Sequence, residues 1–159
     1  MRLTMVLAAV LLSGSVLPAL AQDHVHEVSA GAITLVHPWA RAAKAGADTL
    51  VFMEIVNEGA ADKLESASTA AAASVSIVGA TLSDGEASYQ EVGAVDIPAG
   101  DFDLDPNGLG LLLTGLTQDL EQGGDFELTV HFATAGDVTV HVEIEAADAT
   151  QHSHAGHSH

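Results

Sequence analysis

Two segments near the C-terminal end of the chain alternate apolar and polar residues without a slip. In FELTVHFA (126–133) Phe126, Leu128, Val130 and Phe132 recur at every second position, and in DVTVHVEIE (137–145) Val138, Val140, Val142 and Ile144 do the same. Successive side chains of a strand point to opposite faces, so a period of two gives each segment one face for a core and one for water. The short Ala135-Gly136 connection makes the pair an antiparallel hairpin. Phe132 is expected to share a face with Val138 or Val140. That sets His131 opposite Thr139 or His141 and leaves His131 and His141 adjacent or diagonal on the polar face.

The other apolar runs are of strand length and are separated by turn residues. Ile33 to Val36 reads as a strand and His37-Pro38-Trp39 as a corner, with His37 a structural residue rather than a ligand. Leu50 to Val56 is apolar on both faces except at Glu54, the pattern of a strand buried between layers. Trp39 is the only Trp in a chain with 4% aromatic residues, and so isolated a Trp is a core anchor. Asp62 to Ala67, Val75 to about Leu82, Tyr89 to Val92, Phe102 to Leu104 and Leu109 to Leu116 read as further strands. Ser83-Asp84-Gly85, Ile97-Pro98-Ala99-Gly100 and Pro106-Asn107-Gly108 turn the chain between them. Ser68 to Ala73 is Ala-rich but too short to hold a helical turn unaided. Asp101, Asp103 and Asp105 read as an acidic strand edge, since they lack the glycine and glutamate of a calcium-binding loop. Many short strands with no sustained helical period give an all-β sandwich or barrel.

Residues 1–21 stand apart. A basic start at Arg2, the apolar run Met5 to Leu12 and the small residues Ala19 and Ala21 form a secretory signal peptide cleaved before Gln22. The run is too short, and too broken by Ser13, Gly14, Ser15 and Pro18, for a membrane anchor. The expected organisation is a signal peptide (1–21), a His-containing N-terminal arm (22–32), one β domain (33–146) and a His-rich, disordered C-terminal tail (147–159). With 22 acidic residues against four basic ones and a formal charge of -18, the chain repels nucleic acid and anionic lipid and attracts cations. It has no Cys, which excludes disulfides, zinc–thiolate and iron–sulfur centres and a cysteine nucleophile. No Ser-His-Asp set, phosphate loop or paired-carboxylate motif stands out, so an enzyme is not expected.

HPWAR (37–41), a strand ending at Asn57, Asp62-Lys63-Leu64 and VDIPAG (95–100) follow one another in order, and then come Gly115-Leu116, Leu120, Gly123-Gly124 and the strand after Ala135-Gly136. This ordered set resembles the periplasmic copper chaperone PCu(A)C family over roughly residues 33–146. The resemblance implies a cupredoxin-like Greek-key β-barrel or sandwich in the periplasm of a Gram-negative bacterium. It also implies Cu(I) carriage, with delivery towards a copper-accepting protein such as cytochrome oxidase or its assembly factors.

The family holds Cu(I) with two His and two Met. In this chain those positions align with Val78, Tyr89, Gly110 and Leu112, and none is His or Met. After signal cleavage Met53 is the only Met left, too few for a two-thioether site, and soft thioethers are what select Cu(I). The metal-ligating residues that remain are the nine His. Four lie in the tail (His152, His154, His157 and His159) and two in the arm (His24 and His26). Imidazole suits Cu(II), zinc and nickel, and His-rich tracts bind metals by composition. Cleavage before Gln22 would leave Gln22-Asp23-His24, whose amine, two amides and imidazole make a square-planar nitrogen set for Cu(II) or Ni(II).

The expected function is therefore binding and handing over copper, as Cu(II), through the termini. Two alternatives stay open: a metal-free β-barrel serving as an interaction or scaffold module, and a zinc- or nickel-buffering protein that uses the same His residues.

Overall fold

A chain whose strands are apolar on both faces must bury them from two sides, and the strand Thr49–Asn57 sits at the centre of the molecule for that reason. The computed structural model describes residues 27–83 and 86–152. Its strands, in chain order, are β1 (Glu27–Ala30), β2 (Ile33–Arg41), β3 (Thr49–Asn57), β4 (Asp62–Ser68), β5 (Ala72–Ser83) and β6 (Glu86–Glu91). They continue with β7 (Val95–Ile97), β8 (Gly100–Leu104), β9 (Leu109–Leu116), β10 (Asp125–Phe132) and β11 (Gly136–Glu145). The expected all-β class is what the chain adopts. The strands form one sheet in the order β6-β5-β9-β8-β3-β2-β11-β10-β4-β7, with β1 beside β2. This path is not closed into a ring: β6 and β7 end it.

Two strands change partners partway along. β2 pairs with β3 on one side, while its other side is shared by β1 along Ile33 to Val36 and by β11, in parallel, from Trp39 to Arg41. β3 likewise pairs with β8 over Met53–Asn57 and with β9 over Thr49–Val51. Such sharing bends the sheet over on itself, and inward side chains from β2 to β5 and β7 to β11 meet in a single core. Leu35, Val51, Ile55, Leu64, Leu111, Leu113 and Leu128 are fully buried there. Truncating one such Leu to Ala costs about 2–5 kcal/mol.

Most of the expected strands stand where the sequence put them, and β1 is an addition. The Ala-rich stretch is a tight turn instead of a helical one. Thr69 Oγ1 accepts the Ala71 amide at 3.1 Å and donates to the Glu127 carbonyl at 2.6 Å, and β5 starts at Ala72. The turn expected at Ser83-Asp84-Gly85 lies partly outside the described residues. The expected hairpin forms, but its register differs from both alternatives. Phe132 opposes Gly136, so His131 faces Asp137 and His141 faces Glu127. The connection is shorter than the apolar pattern demanded because Asp62 grips it from β4. Its carboxylate accepts the Thr134 amide at 2.8 Å, the Ala135 amide at 2.9 Å and the Lys63 amide at 2.7 Å.

Desolvation raises the pKa of Asp62, but the amides of Ala135, Lys63 and Thr134 outweigh it and hold the carboxyl below the usual carboxylate range. A depressed folded pKa means stability that is present above the unfolded pKa and lost as pH falls through the folded one. Asp62→Asn should therefore weaken the protein at neutral pH, and the gap between variant and parent should shrink as pH falls below about 4. Urea unfolding at neutral and acid pH measures this; a gap independent of pH would show that the carboxylate charge is not what holds the turn.

Candidate metal centre

The positions aligned with the family's copper ligands converge, and they are filled with carbon. Val78 on β5 pairs directly with Gly110 on β9, Tyr89 on β6 lies across from Ala80, and Leu112 lies between Ser76 and Leu50. Val78, Tyr89 and Leu112 pack with Trp39, Leu50 and Phe52 in a second apolar cluster, separate from the main core. Trp39 and Phe52 meet with ring centroids 5.0 Å apart. A Cβ on Gly110 would come within 3.0 Å of the Phe52 ring, so the glycine is what admits the phenyl group. The one polar group among these positions, the Tyr89 hydroxyl, donates to the Pro106 carbonyl at 3.0 Å. The fold brings these four positions together, and they offer a soft metal no donor.

The C-terminal segment lies back over the same end of the sheet. Arg41 Nε donates to the Ala149 carbonyl at 2.7 Å, while its guanidinium carbon sits 5.6 Å from the Phe52 centroid. Ala149 packs on the apolar cluster. Three residues further on, His152 is buried, with 3% of its surface exposed. That corrects the expectation of a disordered tail for residues up to 152: the first tail His is held inside the fold. The reason is a pair of carboxylates on the last turns of β11. His152 Nε2 is 2.6 Å from Glu143 Oε2 and 3.6 Å from Glu145 Oε1. One donor atom from each of Glu143, Glu145 and His152 lies within 4.8 Å of the others. The His37 ring stacks on His152, with centroids 5.5 Å apart and an interplanar angle of 23°.

His37 reaches that position through a break in β2. The register with β3 shifts between Val36 and Trp39, and His37 takes a positive φ of 46°. Pro38 offers the ladder no N–H, so a bulge is where a strand tolerates it. His37 is the structural corner residue expected, and it also supplies an aromatic face to His152. Beside the pair opens a cavity of about 400 Å³, lined among others by His37, Trp39, Met53, Asp103 and His152.

The other described His residues do not join this group. His131 and His141 are on the outer face of the hairpin, as expected, but they are neither adjacent nor diagonal. Each has its own carboxylate: His131 Nδ1 lies 2.7 Å from Asp137 and His141 Nδ1 lies 2.8 Å from Asp125. His24, His26, His154, His157 and His159 lie outside the described residues. Sequence reasoning missed Glu143 and Glu145, which read as the polar face of β11. The available signal was a pair of acidic residues two apart at the end of a strand, followed seven residues later by a His.

Because Gly110 and Phe52 share one volume, Gly110→Ala should destabilise the protein by about 1–3 kcal/mol. Phe52→Leu should lower that cost when the two are combined in a double-mutant cycle, and thermal unfolding reads it. Additive costs would mean that the phenyl ring does not occupy the glycine's space.

The LpqE-like lipoprotein family model matches residues 33–144. No curated protein matches the chain. Among solved structures, the copper-bound PCuAC domain from PmoF2 is similar at 26% identity, covering 77% of this chain and 99% of that one with a TM-score of 0.64. The apo PCuAC domain from PmoF1 is similar at 28% identity, covering 76% and 99% with a TM-score of 0.64. Apo-DR1885 from Deinococcus radiodurans shares the fold at 23% identity, covering 91% and 97% with a TM-score of 0.52. The match over residues 33–144 and the shared fold place the chain in the LpqE-like family, a member of the copper-binding, chaperone-like PCu(A)C group whose soft-ligand positions are here filled by apolar side chains.

Proposed function

We propose that this protein binds copper outside the cytoplasm and hands it on, holding the metal through its His-rich termini instead of the family's site. The observation that carries the reading is the filled site: Val78, Tyr89, Gly110 and Leu112 come together with no sulfur or imidazole among them. Copper carriage then falls to the His residues, and the thioether selection of Cu(I) gives way to nitrogen donors suited to Cu(II). The tail ligands are His152, His154, His157 and His159, with His24 and His26 as a second site. His152 supports the reading most directly, since it is anchored at the same end of the sheet as the family's ligand positions. The acceptor would be a copper-requiring protein outside the cytoplasm, and the family resemblance favours an oxidase or its assembly factors. The protein needs no catalytic residues for this role.

The acidic surface contributes long-range attraction for a cation, which salt screens, whereas direct coordination is not screened. Only neutral imidazole ligates, so protons compete with metal as pH falls through the ordinary imidazole range, near about 6.5. Deleting residues 151–159 should remove most bound Cu(II) at neutral pH, and binding by the full chain should fall away between about pH 7 and 5. Equilibrium titration with Cu(II) at fixed salt measures both. Full stoichiometry and affinity in the truncated chain would favour the metal-free scaffold, and tighter Zn(II) or Ni(II) than Cu(II) binding would favour the buffering role.

A further inference from the structure

We propose that Glu143, Glu145 and His152 form a built site for a single divalent transition ion, distinct from the family's copper position and from coordination by His residues alone. The proposal deepens the reading above, because it gives one of the proposed tail ligands a fixed partner set on the sheet. The donor set is one imidazole nitrogen and two carboxylate oxygens, all on atoms within 4.8 Å of one another. Two of the three ligands stand on a rigid element. Glu143 is opposite Trp39 and Glu145 opposite Arg41 in the parallel β11–β2 pair, so their backbone is fixed inside the sheet. The third comes from the segment after β11, and its ring is buried and backed by the His37 ring.

The two distances to His152 suit replacement of a proton by an ion. An ion bound at about 2.0–2.2 Å by nitrogen and oxygen sets its ligand atoms about 3.0–3.4 Å apart. The His152–Glu145 separation of 3.6 Å is already close to that. The His152–Glu143 separation of 2.6 Å is a hydrogen bond with a proton between the two atoms. When the ion enters, the ring proton passes from Nε2 to Nδ1, Nε2 presents its lone pair to the ion, and the pair opens by less than an ångström. The cavity of about 400 Å³ lined by His37 and His152 reaches the imidazole side of the set. A set of one nitrogen and two oxygens is unsuited to Cu(I) and suited to Cu(II) or Zn(II), with Cu(II) the tighter by the general order of divalent affinities. The ion would tie the C-terminal segment to β11, so binding and docking of that segment would be one event.

The test uses Cu(II) as the probe on the whole chain, followed by electron paramagnetic resonance, in which coupling to nitrogen counts the imidazoles and amides on the metal. H24Q/H26Q/H154Q/H157Q/H159Q should keep one equivalent of Cu(II), with coupling to a single nitrogen. E143Q/E145Q should lose that species, its affinity falling by at least about a hundredfold, while signals with several nitrogens from the termini persist. His152→Ala leaves the sheet untouched and should lose the same species, which guards against a folding defect in the Glu variants. A spectrum and stoichiometry unchanged in E143Q/E145Q would overturn the site and leave the His-rich tail standing. Loss of all copper in H24Q/H26Q/H154Q/H157Q/H159Q would overturn it as well. A single-nitrogen equivalent that survives alone in the parent chain would support the site and remove the proposal for the tail.

Discussion

The bulge at His37-Pro38 is the constraint on which the arrangement of this protein turns. Pro38 cannot donate to a ladder, and His37 takes a left-handed backbone that a β-branched residue would resist. β2 is thereby divided into two halves that point their free edges at different partners. Ile33 to Val36 receives β1, and Trp39 to Arg41 receives β11 in parallel. The second half therefore binds the last strand of the domain to the second. It also aims three side chains at one end of the sheet: His37 towards the tail, Trp39 into the apolar cluster and Arg41 across the Phe52 ring to the Ala149 carbonyl.

Filling the soft-ligand positions with apolar side chains changes more than affinity. Val78, Leu50 and Phe52, buried together, contribute about 1.5–3 kcal/mol each by leaving water, whether or not an ion is present. The end of the sheet is thus rigid without metal. The C-terminal segment docks on this surface through Ala149, and docking places His152 beside Glu143 and Glu145. The apolar side chains at those positions and the contacts that assemble the Glu143–Glu145–His152 cluster belong to the same surface.

Much of the fold was legible because it is local. The two-face burial of β3, the alternation in β10 and β11 and the turns after Ile97 and Leu104 follow from period and from Gly and Pro placement. The hairpin register was not legible, because Val138 and Val140 lie on the same face and alternation alone cannot choose between them or exclude Gly136. The choice is made by Asp62, which is 72 residues away from Thr134. β1 went unread because EVSA carries little hydropathy signal; it forms on the edge that β2 leaves open before its bulge. Of the three residues in the C-terminal cluster, His152 was visible by its type and Glu143 and Glu145 were not. Acidic residues on the polar face of a strand are normally solvated, and only the returning segment covers these two.

A ligand set divided between a sheet and a returning segment differs from a rim site in how it can release its ion. Ligands all fixed on strands must lose their bonds to the metal one at a time with the scaffold unmoved. Where the imidazole belongs to a segment held by the Arg41–Ala149 hydrogen bond and by packing on Ala149, separation of that segment would remove one of the three donors of the proposed site and expose its ion at once. Such a segment opens at a free energy set by its few contacts, below that of the sheet. If the proposed site holds, an acceptor that competes for the segment's contacts would act on metal release without touching the metal. In that arrangement the apolar cluster has a role of its own. It gives the segment a dry surface to leave and return to, and the strength of that contact sets how readily the ion is surrendered.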